Sequence, residues 1–312
     1  MSESYEALSP LALNTVRPAT EWLNMGCWDV RRGFRAADNS TPPGFPMPAA
    51  VRAHRGSNNT ALAELLYDAA DIQPGARVLD VGCGAGDSLL VLRDTRAPRM
   101  LHGVTSLARQ ARRAQDRVRD SATVVCADAV AWLASPACTE EYDVILALDC
   151  AYHFHDRVAF IRHAHERLAP GGTLALVDLV AAWPYPATLT SPLPPPMHAP
   201  SICARLQHRC TSYLSGTQPL VSFDTYEAQL RAAGFHVHMQ DISHRVFPGF
   251  AAFLRHMGTG EEAAWRGGNT LQWAALRMLG WVVDGWARGG DAGMVRCALI
   301  VARTNASKHV NL

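Results

Sequence analysis

Two short stretches of the 312-residue chain carry residue types at spacings suited to chemistry. The first, VLDVGCGAGDS from Val78 to Ser88, is a run of β-formers followed by Gly82, Gly84 and Gly86. Glycines at the end of a buried strand let a ligand touch backbone N–H groups with no Cβ in the way. The third glycine follows the second by two residues, so the spacing departs from the dinucleotide pattern G-x-G-x-x-G. Asp80, two residues before the loop, would be awkward beside a pyrophosphate and suits a cation, whose desolvation it offsets. The second stretch, ALDCAYHFHDRVAF, holds Tyr152 and His153, and the next apolar run, GGTLALVDLV, delivers Asp178. Adjacent parallel strand ends would bring His153 and Asp178 together as an oriented general base, able to take a proton from an alcohol or phenol at neutral pH.

The elements that must position these residues alternate regularly from Asn59 onward. NTALAELLYDAADI has apolar residues at helical spacing. Short apolar strands follow at Arg77–Val81, Met100–Thr105, Thr123–Val125, Tyr142–Leu148 and Thr173–Leu179, separated by helical patterns such as SLARQARRAQDRV. Strands apolar on both faces alternating with helices predict an α/β fold: a mostly parallel, doubly wound sheet. A sixth strand is expected at Phe235–Met239 and a last one in MVRCALIVAR. Before that last strand lies a segment rich in Phe, Met and Trp at helical spacing, which reads equally as a core-facing helix pair or as an apolar roof over a pocket. The proline-rich AAWPYPATLTSPLPPPMHAPS reads as a lid or substrate-side loop.

Composition narrows the function. A net charge of +1 gives no concentrated positive surface for nucleic acid or an anionic membrane, so a small molecule is the expected partner. Lys308 is the only lysine and lies in a polar tail, which leaves no residue for Schiff-base or Walker-type phosphate chemistry. No segment has the length of apolar sequence a membrane span needs, and the N-terminus has no secretory pattern. Eight cysteines, without a C-x-x-C pair, read as reduced thiols of a cytoplasmic protein. The His-x-His pairs 153/155, 163/165 and 236/238 lack a third ligand, so no metal is expected.

Asp80 with Gly82, Gly84 and Gly86 after the first strand resembles the first motif of the class I S-adenosylmethionine (SAM) dependent methyltransferases. The resemblance runs from about Asn59 to Gln240. It implies a Rossmann-like, seven-stranded sheet with the last strand antiparallel, and SAM as cofactor, its methionyl part on Asp80 and the three glycines. The second strand ends in Thr105 where the family usually has an acid. With Gln110 five residues on, this is similar to the subgroup of cyclopropane synthases and related small-molecule methyltransferases, and it implies hydrogen bonds from Thr105 and Gln110 to the ribose. Asp128 resembles the carboxylate that receives the adenine amino group, with Ala129 beside the ring, and Asp128 also fits a helix N-cap. By the same resemblance Leu148 and Asp149 border the cofactor, while Tyr152 and His153 border the substrate. His153 and Asp178 match the dyad of sugar and natural-product O-methyltransferases. The N-terminal EWLNMGCWDV is similar to a lid element of such enzymes, which makes Trp28 a lid residue or, equally, cap packing.

The expected organisation is an N-terminal cap over 1–58, a SAM-binding core over 59–243, a helical apolar insert over 244–292, the final strand over 293–304 and a tail over 305–312. The expected reaction is methyl transfer to a small, apolar or aromatic acceptor, at oxygen first, with nitrogen or carbon as alternatives. A SAM-binding protein without catalysis is the rival from another class. Acceptor and oligomeric state are open.

Overall fold

A computed structural model describes residues 24–28, 55–182, 220–256, 270–288 and 294–306. Helix α1 (Arg55–Ala70) leads into β1 (Arg77–Val81), α2 (Asp87–Arg96), β2 (Met100–Thr105), α3 (Ala108–Val118), β3 (Thr123–Cys126), α4 (Ala129–Ala134) and β4 (Tyr142–Leu148). A 3-10 turn (Ala151–His153), α5 (Arg157–Arg167), β5 (Leu168–Ala181), α6 (Phe223–Ala232), β6 (His236–Asp241), α7 (Ser243–His256), α8 (Thr270–Arg288) and β7 (Val295–Arg303) complete the described chain. The seven strands form one sheet in the order β3-β2-β1-β4-β5-β7-β6. The first five pair in parallel, and β7 runs antiparallel between β5 and β6.

The central strands are apolar on both faces because both faces are covered. Val78, Val144, Leu146, Val177 and Leu179 pack under α1, α7 and α8. Their alternates Leu79, Val81, Ile145, Ala147, Leu176 and Val180 pack under α4, α5 and α6. The edge strand β6 alternates exposed and half-buried residues; it starts one residue and ends two residues later than the expected Phe235–Met239. Its ladder with β7, His236↔Arg303 to Asp241↔Ala298, fixes the register. Strand β5 starts at Leu168 instead of Thr173, since Leu168 already pairs with Tyr142 across a bulge.

The aromatic segment forms α7 and α8, which pack on each other and turn Phe247, Phe253, Trp273 and Trp286 into the core. The proline-rich stretch beyond residue 182, residues 257–269 and the tail beyond 306 lie outside the described residues, as do the lid and tail readings made for them. Among the described residues no helix is long and apolar enough to cross a membrane.

Candidate active site

Where β1, β2, β3 and β4 end, their following turns part around a cavity of about 370 Å³. This is the expected place for a ligand in a doubly wound sheet, because strand order reverses between β1 and β4. Asp80, Gly82, Gly84, Thr105, Gln110, Asp128, Ala129, Leu148 and His153 all line it. Gly86, Tyr152, Trp28 and Asp178 do not belong to its lining.

The glycine loop is shaped by close approaches. Gly82 has φ +77°, and a Cβ there would meet Cys150 Sγ at 2.6 Å. A Cβ on Gly84 would meet no atom within 4 Å, so this turn presents bare backbone. Gly86 is closely packed: a Cβ would lie 3.0 Å from that of Ala114 on α3. Asp80 is buried, accepts a hydrogen bond from the Ser88 hydroxyl, and has no basic partner among the described residues. Burial pushes its carboxyl up to about 7, against the opposing pull of Ser88. A cationic ligand would supply the countercharge that this acid lacks.

Arg117 on α3 braces the loop. Its guanidinium donates to both Asp87 oxygens, at 2.7 and 2.8 Å, and to the Ala85 carbonyl at 2.7 Å. Both charges are largely buried, and a bidentate pair of this kind fixes orientation as well as distance. Arg117→Met should therefore raise the KM for the loop's ligand several-fold with kcat nearly unchanged. Initial-rate kinetics in that ligand would check this, and an unaltered KM would show that the loop holds its shape without the brace.

On the opposite wall Thr105 donates its hydroxyl hydrogen to Gln110 Oε1 at 2.9 Å. The pairing leaves the Gln110 amide hydrogens and the Thr105 oxygen lone pairs for a diol. Asp128 Oδ1 caps α4 by accepting the Ala131 N–H at 2.9 Å, and the residue also faces the cavity, so cap and lining coincide.

After β4 the chain turns sharply. Asp149 is a non-glycine residue at φ +56°, a left-handed conformation that aspartate tolerates better than most. Its Oδ2 accepts the Met25 N–H at 2.8 Å, while its Oδ1 is buried with no hydrogen-bond partner. Burial lifts this carboxyl to about 7, opposed by Met25 N–H and Tyr152. His153 closes the 3-10 turn, and burial lowers its imidazole to about 4.

Asp178 is fully buried on β5. Its Oδ1 accepts the Tyr152 N–H at 2.9 Å and its Oδ2 accepts the Tyr226 hydroxyl at 2.8 Å, with Arg157 Nε 4.0 Å away. Burial raises this carboxyl to about 6, opposed first by Arg157. Asp178 reaches the turn that carries His153 through the backbone. Tyr152 N–H and Tyr226 O–H engage the two oxygens beneath the turn, so Asp178 holds the backbone that carries His153. Tyr152 is buried against the His153 ring, with centroids 4.1 Å apart.

A short strap, Asn24–Trp28, covers one side of the cavity. Asn24 lines it, with its Oδ1 accepting from Asn59 Nδ2 at 2.7 Å. Trp28 anchors the strap from behind: its Nε1–H donates to the Met25 carbonyl and its ring stacks on Phe253. Gly249 leaves room for that ring. Sequence reasoning singled out the tryptophan of this element and missed Asn24, although the asparagine stood in the same quoted stretch. Ser88, Cys150 and Phe154 were missed too, and only the strand-end register marks them.

Known proteins share the sequence family and the fold. A family model described as a methyltransferase domain matches residues 53–240. The 27-O-demethylrifamycin SV methyltransferase of Amycolatopsis mediterranei is 31% identical over 211 residues, 65% of this chain and 71% of that protein. The erythromycin 3''-O-methyltransferase of Saccharopolyspora erythraea is 33% identical over 187 residues, 57% of this chain and 56% of that protein. The solved structure of the mycolic acid cyclopropane synthase CmaA1, complexed with S-adenosylhomocysteine (SAH), shares the fold with a TM-score of 0.69 at 18% identity, covering 96% of this chain and 95% of that one.

Proposed function

The chain belongs to the SAM-dependent methyltransferases, with SAM as its cofactor, and from that premise we propose that it methylates a hydroxyl group of a small natural-product acceptor, with His153 as the general base. The observation that carries the reading is that His153 lines the same cavity as Asp80, the glycine loop, Thr105, Gln110 and Asp128. Two relatives named for O-methylation of natural products support oxygen as the methylated atom.

The residues fit the cofactor. Asp80 and the backbone of Gly82 to Gly84 would hold the ammonium end, since a buried acid without a basic partner needs a cation. Thr105 and Gln110 would take the ribose hydroxyls, and Asp128 the adenine amino group with Ala129 beside it. Leu148 would border the methionyl chain. When bound, SAM supplies a methyl group already activated on a sulfonium centre, so the protein's task is alignment and proton removal. His153 meets that task as a neutral imidazole, since burial suppresses its protonation. Asp178 sets the position of His153 through the Tyr152 N–H. Tyr152 shapes the His153 side of the site, and Trp28 anchors the strap that carries Asn24.

The test is an acceptor screen with the full chain and SAM: 27-O-demethylrifamycin SV, 3''-O-demethylated erythromycin, and panels of phenols, alcohols, amines and carboxylic acids. SAH release with gain of one methyl on a hydroxyl oxygen is expected. Turnover confined to amines or to carbon acceptors would overturn the O-methylation reading. A chain that binds SAM yet turns over none of these acceptors would favour the non-catalytic SAM-binding rival.

A further inference from the structure

The buried acid after β4 has one oxygen engaged and one idle. Asp149 Oδ2 holds the strap through the Met25 N–H at 2.8 Å, and Oδ1 has no hydrogen-bond partner although it is buried. A buried, unsatisfied carboxylate oxygen is costly, and in native proteins it usually awaits a ligand or a proton. The backbone supports the same conclusion. Asp149 holds a left-handed φ of +56°, the kind of local strain that concentrates at ligand sites. Its neighbour Cys150 packs against Gly82 closely enough to exclude a Cβ, so Asp149 stands at the glycine-loop side of the cavity it lines.

We propose that Asp149 reads the charge of the cofactor: its carboxylate faces the sulfonium of SAM and makes the site prefer SAM over the neutral thioether SAH, while its second oxygen keeps the strap seated. The proposal rests on the cofactor placement proposed above. SAM and SAH share the ammonium, the carboxylate, the ribose and the adenine, and differ by a methyl group and one positive charge. Asp80, assigned to the shared ammonium, cannot tell them apart. A second buried acid can. Its carboxyl, raised to about 7, gains a countercharge when SAM binds and loses it once the methyl group has left, so Asp149 would favour product release. The groups acting on it are Tyr152 and Met25 N–H, which favour its charge, and Asp178, which opposes it.

Calorimetric titration of SAM and of SAH into the full chain separates the roles. Asp149→Asn keeps an oxygen to accept the Met25 N–H and a side chain that tolerates the left-handed backbone, yet removes the charge. It should weaken SAM about tenfold while SAH stays within about twofold. Should that variant not fold, Asp149→Gly relieves the backbone and carries the same comparison. Equal changes for SAM and SAH, or no change in either, would overturn the proposal. Asp80→Asn in parallel should weaken both ligands alike. If it weakens neither, the cofactor placement itself fails, whereas an effect of Asp80→Asn on both with an unaltered SAM/SAH ratio in Asp149→Asn defeats the charge-reading role alone.

Discussion

Replacing His153 with alanine is expected to lower turnover about 10²–10⁴-fold while SAM affinity stays within about twofold. The imidazole lines the cavity at the end of the 3-10 turn, and burial holds it near 4, so it is neutral across the range in which such an enzyme works. A base of that strength is weak for an alcohol in the ligand-free chain. In the reaction the balance changes, because His153 takes up its proton as the neighbouring positive charge is lost, and Asp149 lines the same cavity. Both effects favour an imidazolium at that moment more than before it. The pH dependence has a definite sign. Since protonation of His153 requires acid well below neutrality, kcat should show no loss between about pH 8 and pH 6. Stopped-assay rates over that range, with SAM titrations on His153→Ala, check both parts. A full-activity alanine variant would remove His153 from the chemistry, and an acid limb near 6.5 would show that its environment differs from the one described.

The fold was legible because its signals are local and redundant. Five of the seven strands, β1, β2, β3, β4 and β7, come within one residue of their expected limits, since apolar runs between helical patterns leave little freedom in a doubly wound sheet. The cavity lining was legible for a similar reason, as Asp80, Gly82, Thr105 and Asp128 sit at or next to strand ends, where register alone delivers them to one cavity. Contacts that cross the chain left no such trace. The latch from Met25 to Asp149 spans 124 positions and uses a backbone N–H, which no side-chain pattern announces. The bond from Tyr226 to Asp178 left no trace for the same reason: nothing in α6 marks Tyr226 as the residue whose hydroxyl reaches back 48 positions. Gly86, expected at the ligand by motif, also packs on Ala114 of α3, a contact that spacing within the loop does not report.

Asp178→Ala is expected to destabilise the protein by about 3–5 kcal/mol, and thus to lower Tm by roughly 10 °C, with an accompanying loss of activity. The substitution strips the Tyr226 hydroxyl and the Tyr152 N–H of their acceptor and takes the nearby carboxylate from buried Arg157. Burying this acid is itself unfavourable, as its carboxyl is raised from 3.8 to about 6, but removing it after its partners have been built around it costs more. Asp178→Asn discriminates between acting on the imidazole and acting through the turn. The amide oxygen can still accept from Tyr152 N–H, and the amide hydrogens can donate to the Tyr226 oxygen, so this variant should recover most of the stability and keep kcat within about tenfold of the wild type. If the asparagine variant is as inactive as the alanine one while melting normally, the charge of Asp178 acts on His153 directly and the positioning role is wrong. Linkage gives a second readout. Between about pH 4 and pH 6 the unfolded chain releases this proton before the folded one does, so the wild type loses up to about 3 kcal/mol of stability as pH rises through that window. Asparagine has no proton to release there. The stability gap between wild type and Asp178→Asn should accordingly be wider at pH 4.5 than at pH 7.5 in denaturant titrations, and a gap that widens with rising pH would mean that Arg157 outweighs burial at this site.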